Sequence, residues 1–489
     1  MKLVYLPLDS RPCNTQFPRE LCALRGVTPV MPPPSLLDHF RQPSLHRPVR
    51  VWLAAETLDA DALVVSLDQL CFGSLLASRE EDVDEEEALR RLECLAACKA
   101  ANPGLVIHGI SVIMRSAIST FSASDVNYHA AMTAYSQAVH RAQLEQSAET
   151  AAALEQARRA LPEPLFAKYT AVRARNHRVN RAAVELTARG VMDRLLLLQE
   201  DSQTLGIPKL EQAVLQEDIA RHACGERVYL HNGADEGGCL ACAAVLTRQE
   251  GLRLRPIWLR GNGGFTALYE DRPFVENLRS HCAYAGIELV GEKEPADCLL
   301  CIDTPVDGIQ HDLNDRTALA TKDNRAAAER LADALNTGLP VGFLDLLYAN
   351  GGDDAVLTLA GEQADLSTLR AYAAWNTASN SLGTILAQLL CSGGKTSPGN
   401  TCFMLERLLD DYGYQGKVRA QLADEVRAGG DVPYSLRDPG RWERRLAGLY
   451  EDFVTQDPTL GHWHFTYRVQ LPWPRVFEAE FTVTTLEEQ

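Results

Sequence analysis

Nine short apolar runs punctuate the chain, and each closes on a charged, amide or aromatic residue. They cover 2–8 (closing on Asp9 and Arg11), 61–67 (Asp68), 105–114 (Arg115), 194–198 (Glu200 and Asp201) and 227–230 (Asn232, Asp235 and Glu236). Four more follow at 255–259 (Arg260), 297–302 (Asp303), 341–347 (Asn350 and Asp353) and 369–374 (Trp375 and Asn376). Continuous apolar runs of this length, separated by helical patterns, predict parallel strands buried on both faces. Between them, 84–101 carries Leu89, Leu92, Leu95 and Ala96 on one helical stripe. Segments 125–161 and 165–189, parted by Pro162-Glu-Pro164, predict a long helical crossover.

That rhythm predicts an α/β fold. Its most economical form is a (β/α)8, TIM-like barrel or barrel variant over residues 1–397, with a helical insertion at about 120–190. Two doubly wound α/β domains, with a break near Glu226, are the competing architecture. From about Pro398 the pattern changes. Helices are expected at 403–412 and 417–427, and period-2 alternation at 464–471 and 476–484 around Pro472-Trp-Pro474 predicts an antiparallel hairpin. Residues 398–489 therefore form a small C-terminal α+β extension.

Composition narrows the function classes. A formal net charge of −17 disfavours nucleic acid as the main partner, because a phosphate backbone demands clustered Lys and Arg. No stretch reaches the roughly 18 apolar residues of a membrane span. The apolar part of the N-terminus is too short for a signal-peptide core, so a cytoplasmic location is expected. The thirteen cysteines, mostly in apolar runs, read as reduced core thiols, including the Cys239/Cys242 and Cys298/Cys301 pairs. The oligomeric state is not legible.

Acids concentrate where strands end. Asp9, Asp68, Glu200, Asp201, Asp235, Glu236 and Asp303 all occupy such positions, and Asp345 and Asp353 lie within or just beyond another run. In a barrel these side chains converge on one face, where they serve carboxylate acid/base chemistry or metal binding. Of the twelve His, His108 lies in a strand body and His231 near the 232–236 loop, and the rest read as helical, surface or terminal, so no metal site is assigned; magnesium or manganese belongs only to an alternative reading. Arg11 and Arg115 are placed to pair with the acids. Trp375, Asn376 and Asn380 suit sugar stacking and hydroxyl binding. No dinucleotide fingerprint, phosphate-binding loop or serine nucleophile elbow is present.

Several segments together resemble the bacterial domain-of-unknown-function family 4127. They are Pro7-Leu-Asp-Ser-Arg-Pro-Cys-Asn14, Ser66-Leu-Asp68, Ser78-Arg79, Gln199-Glu-Asp201, Gly233-Ala-Asp-Glu236, Tyr348-Ala-Asn-Gly351, Ala374-Trp-Asn-Thr377 and Leu471-Pro-Trp-Pro-Arg475. The resemblance implies that these residues line one site but brings no activity with it. Locally, His231-Asn-Gly-Ala-Asp-Glu236 is similar to the His-x-Gly-Gly-Asp-Glu strand end of β-N-acetylhexosaminidases, which are (β/α)8 enzymes; Ala234 departs from that pattern. This likeness implies Glu236 as general acid/base and Asp235 as partner of the substrate's 2-acetamido group, in substrate-assisted catalysis.

The expectation is an exo-acting glycoside hydrolase on a small carbohydrate. Glu236 and Asp235 would be catalytic, and Asp9, Arg11, Asp68, Arg115, Glu200, Asp201, Asn232, Asp353, Trp375, Asn376 and Asn380 would bind substrate. The alternatives are a divalent-metal-assisted hydrolase or lyase using the same carboxylates, and a non-catalytic carbohydrate- or small-ligand-binding protein.

Overall fold

The computed structural model describes residues 1–119, 123–313 and 323–486. The chain divides into two compact units. The first comprises Met1–Thr15, Val27–Ala241 and Tyr269–Asp271, and the second Gln16–Gly26, Cys242–Leu268 and Arg272–Gln489. The chain passes from one to the other within the buried, Ala-rich helix Gly237–Leu246.

The first unit is built on five strands: β1 (Leu3–Leu6), β2 (Ala62–Ser66), β3 (Val106–Ile113), β4 (Arg194–Gln199) and β5 (Val228–Asn232). They pair in parallel in the order β1-β2-β3-β4-β5. Each strand joins the edge left by its predecessor, as right-handed crossovers with helices on one face dictate. Full burial along β1 and β2 explains their unbroken apolar sequence. Three helices, Ala123–Glu145, Ala148–Arg159 and Glu163–Ala188, fill the crossover from β3 to β4. The segment 125–161, expected as one helix, is broken by Ser147, whose side chain caps the second helix in a reciprocal bond with Thr150.

The turns that follow the two outermost strands meet beyond the sheet: Arg11, five residues past β1, reaches Asp235, three residues past β5, at 2.5 Å. The sheet is not shown to close: the outer edge of β1 carries a bridge from Val4 to Val30, and among the described residues β5 pairs only with β4.

The second unit holds β6 (Leu252–Trp258), β7 (Ile287–Leu289), β8 (Cys298–Asp303), β9 (His311–Asp312), β10 (Val341–Asp345), β11 (Tyr348–Ala349) and β12 (Leu369–Ala373). Its five-stranded parallel sheet runs β12-β10-β8-β6-β7, with β9 and β11 as a separate parallel pair. Counted from its first strand, this is the doubly wound order 2-1-3-4-5, and the winding reverses between β6 and β8. The last strands, β13 (Phe465–Gln470) and β14 (Glu480–Leu486), form the expected antiparallel hairpin. Phe481 of the hairpin belongs to the same apolar core as Phe343 of β10 and Tyr372 of β12. The helix Pro439–Gln456 was not anticipated, although Trp442, Leu446, Leu449 and Tyr450 make its buried stripe.

All nine apolar runs are strands, so the parallel α/β class stands. The strands lie in two five-stranded sheets, and their closure into one eight-stranded barrel is not shown.

Candidate functional site

In the first unit every strand delivers a polar side chain to its carboxyl end. After β1 the chain turns at Asp9, whose Oδ1 accepts the backbone N–H of Arg11 (3.1 Å), and Pro12 then opens a single 3-10 turn. This turn directs the Arg11 guanidinium between two carboxylates. Nε and Nη2 donate to Asp9 (Oδ1 3.1 Å, Oδ2 2.7 Å), and Nη1 and Nη2 donate to Asp235 (Oδ2 3.0 Å, Oδ1 2.5 Å). Asn14 adds a bond to Asp9 Oδ1 at 2.9 Å. Asp9, Arg11 and Asp235 are all buried. Burial pushes Asp235 up to about 6 even against the Arg11 charge.

Beside this bridge lies a second arginine–carboxylate net. β2 runs directly into the helix Leu67–Phe72, which sets Asp68 on the strand end, where Oδ2 accepts the Val112 N–H at 2.9 Å. Burial, with a contribution from Glu200, pushes Asp68 up to about 7. Glu200 follows β4 and pairs with Arg79, while Arg115 after β3 pairs with Asp201 and lies 3.8 Å from Glu200. Burial alone would raise Glu200; the Arg79 and Arg115 charges overcome it and hold the carboxyl below its ordinary range. Of these two acids, Asp68 thus keeps its proton to a higher pH than Glu200. Asn232, at the end of β5, is fully buried and donates to Ser202 Oγ at 3.2 Å.

Glu236 is fully buried, and its Oε2 accepts the Ala234 N–H at 2.9 Å. The carboxylate folds over Gly233, which has φ +120°; a Cβ there would stand 2.1 Å from Oε1, so the turn needs glycine. Asp38 and Arg79 belong to the cluster but were not named as site residues from the sequence. Asp38 lies 3.4 Å from the Ser10 hydroxyl, and burial together with Asp9 pushes it well above the carboxylate range. It sits in a proline-rich loop away from any strand end, so no periodicity marks it. Arg79 stands on the 3-10 turn Ala77–Arg79 inside the Ser78-Arg79 motif, the one signal that pointed to it.

The remaining candidates, Asp353, Trp375, Asn376 and Asn380, belong to the second unit. Trp375 is buried, meets Phe17 edge-on at 6.1 Å and directs Nε1 to Thr384 Oγ1 at 3.3 Å. Asn376 adopts a left-handed backbone (φ 53°), and its carbonyl accepts the Asn350 N–H at 2.8 Å. Asn380 is buried in the helix Ala378–Ser392, its carbonyl accepting the Thr384 hydroxyl at 2.8 Å.

Asp353 joins a separate constellation at the carboxyl edge of the second sheet. Arg260, just after β6, holds Asp303 at the end of β8 through Nε (2.7 Å) and Nη2 (2.5 Å). Asp345 is the register partner of Asp303 on β10 and is fully buried. Burial, Asp303 and Asp353 push Asp345 well up, and burial followed by Asp354 raises Asp353 to about 6. This set flanks the reversal point between β6 and β8, where open α/β sheets bind ligands.

All thirteen cysteines are free thiols, and eleven are buried. Cys298 and Cys301 lie within β8 with thiols pushed up to about 12 by burial. They are core residues, as their apolar run suggested. Among the described residues no helix is long and apolar enough to cross a membrane.

The chain belongs to the family described as protein of unknown function DUF4127, whose sequence profile matches residues 3–482. No curated protein matches the chain.

Proposed function

We propose that the protein is a glycoside hydrolase whose acid/base chemistry is carried by the strand ends of the first unit. The observation that supports this reading is the buried pair of unlike carboxyls. Asp68 keeps its proton to about pH 7, while Glu200 is held ionised by Arg79 and Arg115. Environments that push two acids apart in this way separate a proton donor from an anion that serves as base or stabilises developing positive charge. Asp68 is the proposed donor to the glycosidic oxygen and Glu200 the proposed anion. The Asp9–Arg11–Asp235 bridge holds the neighbouring strand ends in place.

A second assignment within the same reading comes from the hexosaminidase-like stretch 231–236. Glu236 is the donor there, Asp235 receives the 2-acetamido group, and an exo-acting β-N-acetylhexosaminidase results. The Asp68 carboxyl, raised to about 7 by burial, favours Asp68 as donor.

The test is turnover across nitrophenyl glycosides, including N-acetylhexosaminides, by wild type, Asp68→Asn, Glu200→Gln and Glu236→Gln. A positioned general acid contributes about 10²–10⁴-fold. Loss of that order in Asp68→Asn, with kcat/KM of the wild type falling above about pH 7, supports the Asp68 assignment. The same loss confined to Glu236→Gln supports the second assignment. Activity abolished by chelation and restored by magnesium or manganese favours a metal-assisted hydrolase or lyase. Saturable sugar binding without turnover favours a binding protein.

A further inference from the structure

The first unit takes in three residues from far along the chain, Tyr269, Glu270 and Asp271. The Tyr269 carbonyl accepts the Ser202 N–H at 2.8 Å, and Asp271 Oδ2 accepts the Gln212 amide at 2.5 Å. The same Gln212 nitrogen donates to Gln199 Oε1 at 2.9 Å, and Lys209 Nζ lies 3.7 Å from Asp271 Oδ1. Gln199 is the last residue of β4. The three residues are therefore fastened beside the strand end that carries Glu200 and Asp201.

Tyr269 has φ +70°, which for a bulky side chain is an outlier that glycine would adopt freely. Strain of this kind persists where neighbouring bonds over-determine the backbone, and it concentrates at ligand-binding sites. Tyr269 is 36% exposed, although Glu270 and Asp271 beside it are buried. The turn therefore keeps a large aromatic ring partly in water while its neighbours are covered.

The ring stands where the carboxylate cluster meets solvent. The side chains of Asp9, Asp235 and Glu200 are at most 9% exposed, whereas those of Arg115 and Asp201 are 20% and 27% exposed. Burial alone would lower the Arg115 guanidinium; Asp201, Glu200 and then the Tyr269 phenol raise it, so the phenol lies within electrostatic reach of this pair. Arg115 Nη1 is 3.8 Å from Glu200 Oε1, while Arg115 Nε and Glu200 Oε2 have no hydrogen-bond partner among the described residues. An aromatic face beside one such donor and one such acceptor suits a pyranose, whose faces are apolar and whose edge carries hydroxyls. Trp375, the ring expected from the sequence to stack on sugar, is buried in the second unit. The structure assigns to Tyr269 the stacking platform for the sugar at the mouth of the first-unit site, with Arg115 Nε and Glu200 Oε2 left for its hydroxyl edge. This specificity-determining role rests on the glycoside reading above.

The test is equilibrium binding of methyl glycosides of neutral and N-acetylated hexoses to the full-length protein by saturation-transfer NMR, beside urea unfolding. At least one glycoside should bind wild type, and Tyr269→Phe, which keeps the ring, should bind it within about twofold of wild type. Tyr269→Ala and Tyr269→Gly should each weaken binding roughly tenfold or more. Glycine relieves the left-handed backbone, so Tyr269→Gly should resist urea better than Tyr269→Ala while binding no better. A merely structural tyrosine would instead make affinity follow stability. Where a nitrophenyl glycoside is turned over, Tyr269→Ala should raise KM and leave kcat within about twofold. Unchanged affinity in Tyr269→Ala, or no binding of any glycoside of the panel to wild type, overturns the platform. Binding that depends on Tyr269 without turnover upholds the platform and counts against the hydrolase; turnover with an unchanged KM in Tyr269→Ala does the reverse.

Discussion

Replacing Arg11 by methionine removes the guanidinium while keeping much of the side-chain volume. In the native protein that group donates to all four carboxylate oxygens of Asp9 and Asp235, at 2.5 to 3.1 Å. Asp9 is fully buried and Asp235 nearly so, so neither can recover the loss by hydration. Removing one partner of a buried ion pair costs about 3–5 kcal/mol, and here two carboxylates are stranded by a single change. The sign of the pH dependence follows. Without the cation, which opposes the upward push of burial on Asp235, that carboxyl holds its proton in the folded state to a still higher pH, against an unfolded value of about 3.9. The folded state then binds more protons than the unfolded state, and stability falls as pH rises above about 4. The deficit of Arg11→Met relative to wild type should therefore be larger at pH 8 than at pH 5. Urea unfolding at both values measures it, with amide exchange in β1 and β5 locating the effect. The triple variant Asp9→Asn, Arg11→Met, Asp235→Asn removes the stranded charges and should recover a substantial part of the loss. An Arg11→Met protein within about 1 kcal/mol of wild type at pH 8, or a deficit that grows towards pH 5, would refute the reasoning.

Asp68 makes a separate prediction. Its proton is held to about 7 in the fold, against about 3.9 unfolded, so wild-type stability should decline between those values by on the order of 4 kcal/mol from this group alone. Asp68→Asn should flatten that decline in pH-dependent unfolding, and an unchanged slope would contradict it. Gly233→Ala forces a φ of +120° on alanine and drives its Cβ into the Glu236 carboxylate. It should destabilise the first unit by about 1–3 kcal/mol in thermal or urea unfolding, whereas a neutral effect would show that the turn relaxes freely. Of the thirteen thiols, only Cys94 and Cys402 are not buried, so a thiol reagent should label at most two rapidly in the native state and all thirteen after unfolding. Rapid native labelling of Cys298 or Cys301 would show that β8 is not core.

The apolar runs were legible because parallel strands covered on both faces leave no room for polar residues: Leu63, Val64 and Val65 cannot alternate with charge when both faces of β2 are buried. The helix Pro439–Gln456 was harder to see because its buried stripe is spaced among three arginines and the Glu451-Asp452 pair on the exposed side. The division into two sheets was not legible from local pattern, since a strand's sequence records how deeply it is buried and not which strand it pairs with. The strand-end rule found Asp9, Asp68, Glu200 and Asp235 because loop residues beyond strands are where side chains can vary over a rigid sheet. It could not find Asp38, brought in by a loop, nor tell that Asp235 is bound to Arg11 beyond a strand at the other end of the sheet order.

The most direct test of the proposed chemistry is the pH dependence of kcat/KM on a nitrophenyl glycoside turned over by the wild type, measured beside Asp68→Asn and Glu200→Gln. The account predicts a wild-type rate that falls above about pH 7 as Asp68 loses its proton. It also predicts about 100-fold or greater loss in each variant. Full activity in Asp68→Asn with an unaltered pH profile would contradict it.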